Sequence, residues 1–438
     1  AMKLAVPDDF KGAFYYRENS GSGNVQSADV TLLWKYGSDG VTKIDSVELK
    51  IFATEMVYVP EGQFCLGHGN GSVAAISSLA LKQPAKNYVT VRSGWTPTFL
   101  SFNGDGPNPI DIGDITIKQG IRVSGLQGLD VNNDNVAEHV DYPTGFRAFY
   151  TMKYKVTQGQ YTDFLNSLTL NGTDPASEAD YLTEVPNLDP FYNQSVPSTS
   201  RFTIKQVAGS KGYSASRPDR AFGGLKSPVA LFAFADWAGL RPMTEMEFEK
   251  AARGPLPPTT ADNIWGPDST NLNNATALPF SGAENGTEYF VGYNHSTRAY
   301  NPITAGPWTN GDDNGNVPGL YRVGIFANDT TGRSTAAASY YGIMDMTKNG
   351  YEATITLREN FARANFSWKT HGDGMLNIAQ AASEFLPHFS GDLTYYWRFA
   401  LITKGYGRIA EAVEKRNGPG TNEVEVTSFR CVRTAPAD

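Results

Sequence analysis

Cysteine and histidine are scarce in this sequence. Two cysteines, Cys65 and Cys431, and five histidines are spread over 438 residues. Neither C-x-x-C nor H-x-x-x-H occurs, which excludes a zinc site built from those residues at their usual spacings. Long apolar runs are also missing. The best candidate, PVALFAFADWAGL, is interrupted by Asp236 and falls short of the roughly 18 residues a bilayer span needs. Positive charge is in the minority, with 37 Lys and Arg against 45 Asp and Glu and a net charge of −8. A nucleic-acid binder would want a basic face, so no nucleic-acid partner and no transmembrane segment are expected. No block of like charges marks an interaction tail.

What is abundant is turn chemistry. The 44 glycines and 25 prolines accompany a chain that is 40% hydrophobic and 12% aromatic. Such a chain buries a core but favours many turns and short strands, an irregular α+β architecture. Residues 1–54 read as an N-terminal β extension. There ADVTLLWKY and DSVELKIFATEMVYVP alternate apolar and polar residues around a GSDG turn. A β-rich insertion follows at about 68–140. Strand signals return at LYRVGIFA, ATITL and EVEVTSFRCVRT. Met stands second in the opening AMKLAVPDDF. Ala1 is therefore a cloning remnant or the residue left by signal-peptide removal. The reading adopted is export, to an extracellular or cell-surface location.

Three helices carry start and stop signals. Thr157 and Gln160 form a capping box ahead of an apolar face of Tyr161, Phe164, Leu165 and Leu168. Ser227-Pro228 opens the second helix and Gly239 closes it. The third lies in AGLRPMTEMEFEKAARGP. Thr244 and Glu247 cap it, Glu249 and Arg253 are spaced i,i+4, and Gly254-Pro255 stops it. Its dense charges are expected to form the solvated side of a surface helix.

These segments, in this order, resemble the formylglycine-generating-enzyme/sulfatase-modifying-factor family. EMVYVPEGQFCLG is similar to its opening strand, and FYTMKYKVTQGQYTDFLNSL to its first strand and helix. SPVALFAFADWAGLRPMTEMEFEKAARGP resembles its central signature. YYGIMDMTKNGYEAT and SFRCVRTAPAD resemble its last two motifs. The resemblance runs over about residues 55–438 and implies an irregular C-type-lectin-like (formylglycine-generating-enzyme-like) domain. It also implies opening and closing strands in one sheet, where Cys65 and Cys431 would be placed to form a disulfide. Two buried thiols are the plain alternative.

Family resemblance leaves function open, because the family includes copper and iron enzymes as well as non-catalytic ligand-binding displays. The copper enzymes resemble one another in a pair of cysteines shortly before the closing motif, able to hold copper(I). Here the corresponding RFALITKGYGRIAEAVEKRNGPGTNEVEVTS has no cysteine. The iron relatives resemble a histidine-rich site, and no two histidines here are spaced i,i+4. No copper or iron is expected, and the chain is read as no enzyme.

Calcium is the metal considered. DVNNDNVAEHVD offers Asp130, Asn132, Asp134, Glu138 and Asp141 at positions 1, 3, 5, 9 and 12 of an EF-hand-like loop. The Gly at position 6 is missing, and a solvated Asx-rich turn explains the loop equally well. Separately, Asn349 and Glu352 in KNGYEA match a family segment that ligates calcium. The last quarter departs furthest from the family. It carries Tyr395, Tyr396, Trp397, Arg398, Tyr406 and Arg408, residue types suited to binding hot spots. The sequence thus reads as an exported, non-catalytic protein binding a protein or glycan ligand through this C-terminal face. The second reading is a structural subunit of a surface layer, sheath or filament, bound to copies of itself.

Overall fold

A computed structural model describes residues 2–8, 10–19, 30–44, 47, 49–62, 64–67, 88–91, 141–171, 202–208, 212–223, 228–256, 264–266, 287–288, 320–346, 349–355, 366–374, 401–404, 412–413 and 427–436. The chain divides into two compact units, Ala1–Glu55 and Met56–Ala437.

Among the described residues, the first unit contains one hairpin. Strands β1 (Met2–Ala5) and β2 (Phe14–Arg17) pair antiparallel, with Met2 opposite Arg17 and Ala5 opposite Phe14. The GSDG signal forms a 3-10 turn over Tyr36–Asp39, closed by Gly40 at φ 75°. That positive φ is why glycine stands there. Of the strands expected on either side of the turn, the second forms at its end, as the strand Met56–Val59. Residues 30–35 and 49–55 are neither helix nor strand, and their side chains are exposed. Alternation supplies a strand with a face, but a strand also needs a partner edge, and among the described residues these segments pair with no strand.

Among the described residues, the second unit is built from short sheets and three helices. One four-stranded sheet runs β3 (Met56–Val59), β6 (Phe149–Met152), β14 (Cys431–Thr434), β9 (Arg241–Pro242). The first and last family-like motifs therefore share a sheet, with β6 between them. A second sheet runs β12 (Ala412–Val413), β11 (Leu401–Lys404), β10 (Tyr351–Ile355), β13 (Thr427–Ser428). Two ladders stand apart: β4 (Phe64–Gly67) with β5 (Tyr88–Val91), and β7 (Ile204–Gln206) with β8 (Tyr213–Ala215). LYRVGIFA is not a strand. Leu320, Tyr321, Ile325 and Phe326 are buried, but Gly324 turns the chain at φ 65° and gives its N–H to the Asp345 carboxylate at 2.6 Å.

The helices start where their caps require. In α1 (Gln158–Asn171) the Gln160 amide donates to Thr157 Oγ1 at 3.2 Å, and the Thr157 amide donates to Gln160 Oε1 at 3.0 Å. Tyr161, Phe164 and Leu165 are buried, as that apolar face predicts; the Leu168 side chain lies outside the described residues. Helix α2 (Pro228–Trp237) begins on its proline and closes on Gly239 at φ 65°. Tyr161 and Phe164 of α1 meet Phe234 of α2 in an aromatic cluster that continues to Phe222 and Phe429.

Helix α3 (Glu245–Arg253) has its expected capping box, but it is not a surface helix. Every residue in it is buried. Phe248, Ala251 and Ala252 enter a core with Val59, Phe149, Trp265, Ile343 and Val432. Its charges are matched internally. Arg241 grips Glu247 with two bonds of 2.6 and 2.8 Å. Lys250 donates to the carbonyls of Gly145 at 2.6 Å and Phe146 at 3.0 Å. Arg253 approaches Glu249 at 3.7 Å. Dipole-matched ends describe a helix equally well inside a protein, so spacing alone could not report burial.

Candidate functional site

The densest polar constellation among the described residues lies where β6 leaves its sheet and β10 enters its own. Glu352 on β10 and Arg430, between β13 and β14, are both buried. Arg430 donates to the two Glu352 oxygens at 2.6 and 2.7 Å. It also reaches the carbonyls of Met152 at 3.1 Å, Lys153 at 3.2 Å and Met344 at 2.8 Å. These five bonds use all five guanidinium N–H groups. Lys155 completes the set, 3.4 Å from Glu352 and 2.6 Å from the Gly350 carbonyl.

The electrostatics follow from that packing. Burial lowers Lys155 to about 8, opposed chiefly by the Glu352 charge. Burial presses Glu352 upward, but the Arg430 and Lys155 charges with their hydrogen bonds prevail and hold it below its ordinary value. Asp345 shows the reverse balance. Its burial outweighs the Gly324 hydrogen bond and the nearby cations, and its carboxyl is raised.

Asn349 and Glu352, the residues of the second calcium expectation, are both engaged by the protein itself in this structure. The Glu352 carboxylate faces two protein cations, so a divalent ion there would have to displace them and leave them buried. Asn349, at φ 46°, accepts the Tyr321 N–H at 2.8 Å and donates to the Tyr321 carbonyl at 3.3 Å. Its side chain serves as a backbone clamp. Asp141 is bound by Lys369 at 2.7 Å in an exposed pair. Asp130, Asn132, Asp134 and Glu138 lie outside the described residues. Among the described residues, no three of His, Cys, Asp and Glu group as a metal holder.

Of the two cysteines of the possible disulfide, Cys431 is free and buried in this structure. Cys431 stands on β14 beside Pro242 of β9, whereas Cys65 stands on β4 opposite Thr90 of β5, in another sheet. Burial raises the Cys431 thiol far above its ordinary value, so it is packed as a small apolar group and is a poor nucleophile.

The C-terminal candidates Tyr395, Tyr396, Trp397, Arg398, Tyr406 and Arg408 lie outside the described residues. The neighbouring β11 pairs along β10, with Lys404 opposite Glu352.

Most of the exposed large apolar side chains among the described residues belong to the first unit. Phe10 is 83% exposed, Leu33 85%, Leu49 67% and Ile51 80%. Trp34 and Tyr36 meet edge to face at 5.9 Å between centroids, and both are exposed. Exposed apolar side chains of this kind, where they form one patch, suit contact with another macromolecule. Their signal was present in the sequence within ADVTLLWKY and DSVELKIFATEMVYVP, but there it read as strands of alternating apolar and polar residues. No helix among the described residues is long and apolar enough to cross a membrane.

The chain matches no family model and no curated protein.

Proposed function

We propose that this chain is an exported, non-catalytic binding protein whose second unit is a C-type-lectin-like scaffold and whose first unit contacts other protein. The observation that carries this reading is the exposed apolar surface of the first unit. Exposing Leu33, Leu49, Ile51 and Phe10 to water costs free energy that a partner surface would recover. The missing cysteine pair before SFRCVRT favours binding over the copper chemistry of the family it resembles. The aromatic stretch Tyr395 to Arg398, with Tyr406 and Arg408, is the proposed ligand face for a protein or glycan.

Size-exclusion chromatography with light scattering, and electron microscopy, test the protein contact. Association that weakens in a Leu33→Lys/Ile51→Lys variant supports it, and a strictly monomeric wild type overturns it. Glycan-array and protein-capture binding that survives Tyr396→Ala/Trp397→Ala removes the C-terminal face from the proposal.

A structural subunit of a surface layer, sheath or filament is the second reading. It is favoured by residues 30–35 and 49–55, which carry strand patterning yet form no strand among the described residues. Ordered polymers in the micrographs would select it.

A further inference from the structure

Eight N-x-S/T sequons occur in the sequence. A sequon accepts N-linked sugar where the chain is exported and its Asn stands on the surface. Asn328-Asp329-Thr330 meets the surface condition, since all three residues are exposed. Every other sequon lies wholly or partly outside the described residues. The loop is anchored on both sides. Ile325 and Phe326 are buried before it, and Ala336, Ala337 and Ala338 after it. Between them the turn closes on itself. The Thr331 amide and hydroxyl donate to the Asn328 carbonyl at 3.1 and 2.8 Å, and the Asn328 amide donates to the Thr331 hydroxyl at 3.0 Å. The Thr330 amide and hydroxyl donate to Asn328 Oδ1 at 2.9 and 2.8 Å. These bonds use the backbone and Oδ1 of Asn328 and leave Nδ2 without a partner among the described residues. We propose that Asn328 is an N-glycosylation site, whose Nδ2 accepts an oligosaccharide from a lipid-linked pyrophosphate donor. The inference rests on the export reading above and adds a covalent modification to it.

The chemistry follows from where charge develops. A carboxamide nitrogen is a weak nucleophile, because it shares its lone pair with the carbonyl. To attack, Nδ2 must give up a proton while charge gathers on Oδ1. Two donors already aimed at Oδ1 stabilise that charge. Nδ2 then bonds to the anomeric carbon of the sugar. The bond from that carbon to the pyrophosphate oxygen breaks, and the lipid pyrophosphate leaves with the electron pair. The proton from Nδ2 passes to a base of the transferring enzyme, and nothing is oxidised or reduced. Thr330 explains the hydroxyl at the third position of the sequon, since it supplies one of the two donors. Both contacts close within three residues, so the geometry is available as soon as the turn forms, with no distant partner.

The test is glycopeptide mapping of the protein made in its own host. Cell interior and exported material are separated, digested and read by mass spectrometry. Exported wild type is expected to carry a glycan on the Asn328 peptide. Asn328→Gln and Thr330→Ala are expected to lose it. Thr330→Ser is expected to keep it, because serine supplies the same hydroxyl donor. Exported wild type with a bare Asn328 overturns the inference and leaves the export reading standing. A glycan that persists in exported Thr330→Ala also overturns it, because the hydroxyl is then not required. Protein found only in the cell interior removes both readings.

Discussion

Arg430 holds Glu352 through a two-point grip of 2.6 and 2.7 Å inside the second unit. The same guanidinium reaches the backbone at Met152, Lys153 and Met344. One side chain thereby joins the exit of β6, the strand β10 and the segment before it. Removing it leaves a buried carboxylate facing Lys155 alone and takes one donor from each of three carbonyls, of which Lys153 keeps the Met344 N–H at 2.9 Å. An Arg430→Met variant is expected to lose about 3–5 kcal/mol, read from urea unfolding. A Glu352→Gln/Arg430→Met double variant should recover part of that loss. Equal stability of wild type and Arg430→Met would mean the grip is not formed.

Lys155 should make stability depend on pH in a defined window. Burial lowers it from 10.5 to about 8, against the Glu352 charge that raises it and with the Arg430 charge that lowers it further. Between those values the unfolded chain holds more protons than the folded one, so stability rises with pH. The destabilisation is full below about 8 and gone above 10.5. Lys250 adds a parallel contribution, being lowered to about 8 by its own burial. Cys431 works in the opposite direction, since its raised thiol lets the unfolded chain ionise first. Comparing wild type with Lys155→Met cancels the other two. The wild type should gain on the variant as pH rises through the window, and a gap independent of pH would contradict this.

Gly372 is a packing prediction. A Cβ there would lie 2.3 Å from Asp236 Cα and from the Asp236 carbonyl oxygen, and 2.5 Å from the Ala235 carbonyl oxygen. All three are helix backbone, which cannot rotate aside. Gly372→Ala should cost about 1–3 kcal/mol by thermal unfolding. Gly332→Ala meets nothing within 4 Å and should fall within about 0.5 kcal/mol of wild type.

The thiol state is directly testable. Non-reducing peptide mapping should find no Cys65–Cys431 bond. In a Cys65→Ser protein, Cys431 should resist a thiol reagent until denaturant is added. Rapid labelling of the folded protein would show that β14 opens.

By itself the sequence determined the local elements that are closed by neighbouring residues. The capping boxes of α1 and α3, the proline start of α2 and the glycine turns at 40 and 239 all appear as read. Each is set within one turn of chain by a side chain meeting an adjacent amide, or by a φ only glycine readily takes. Tertiary structure decided everything that depends on a distant partner. Glu352 meets Arg430 across 78 residues and Lys250 meets the Gly145 carbonyl across 105, so charges that read as solvent-facing, or as calcium ligands, become internal pairs. The same physics works in reverse at residues 49–55. Their alternation writes a strand, yet the described residues supply no partner strand, and the apolar side chains are exposed.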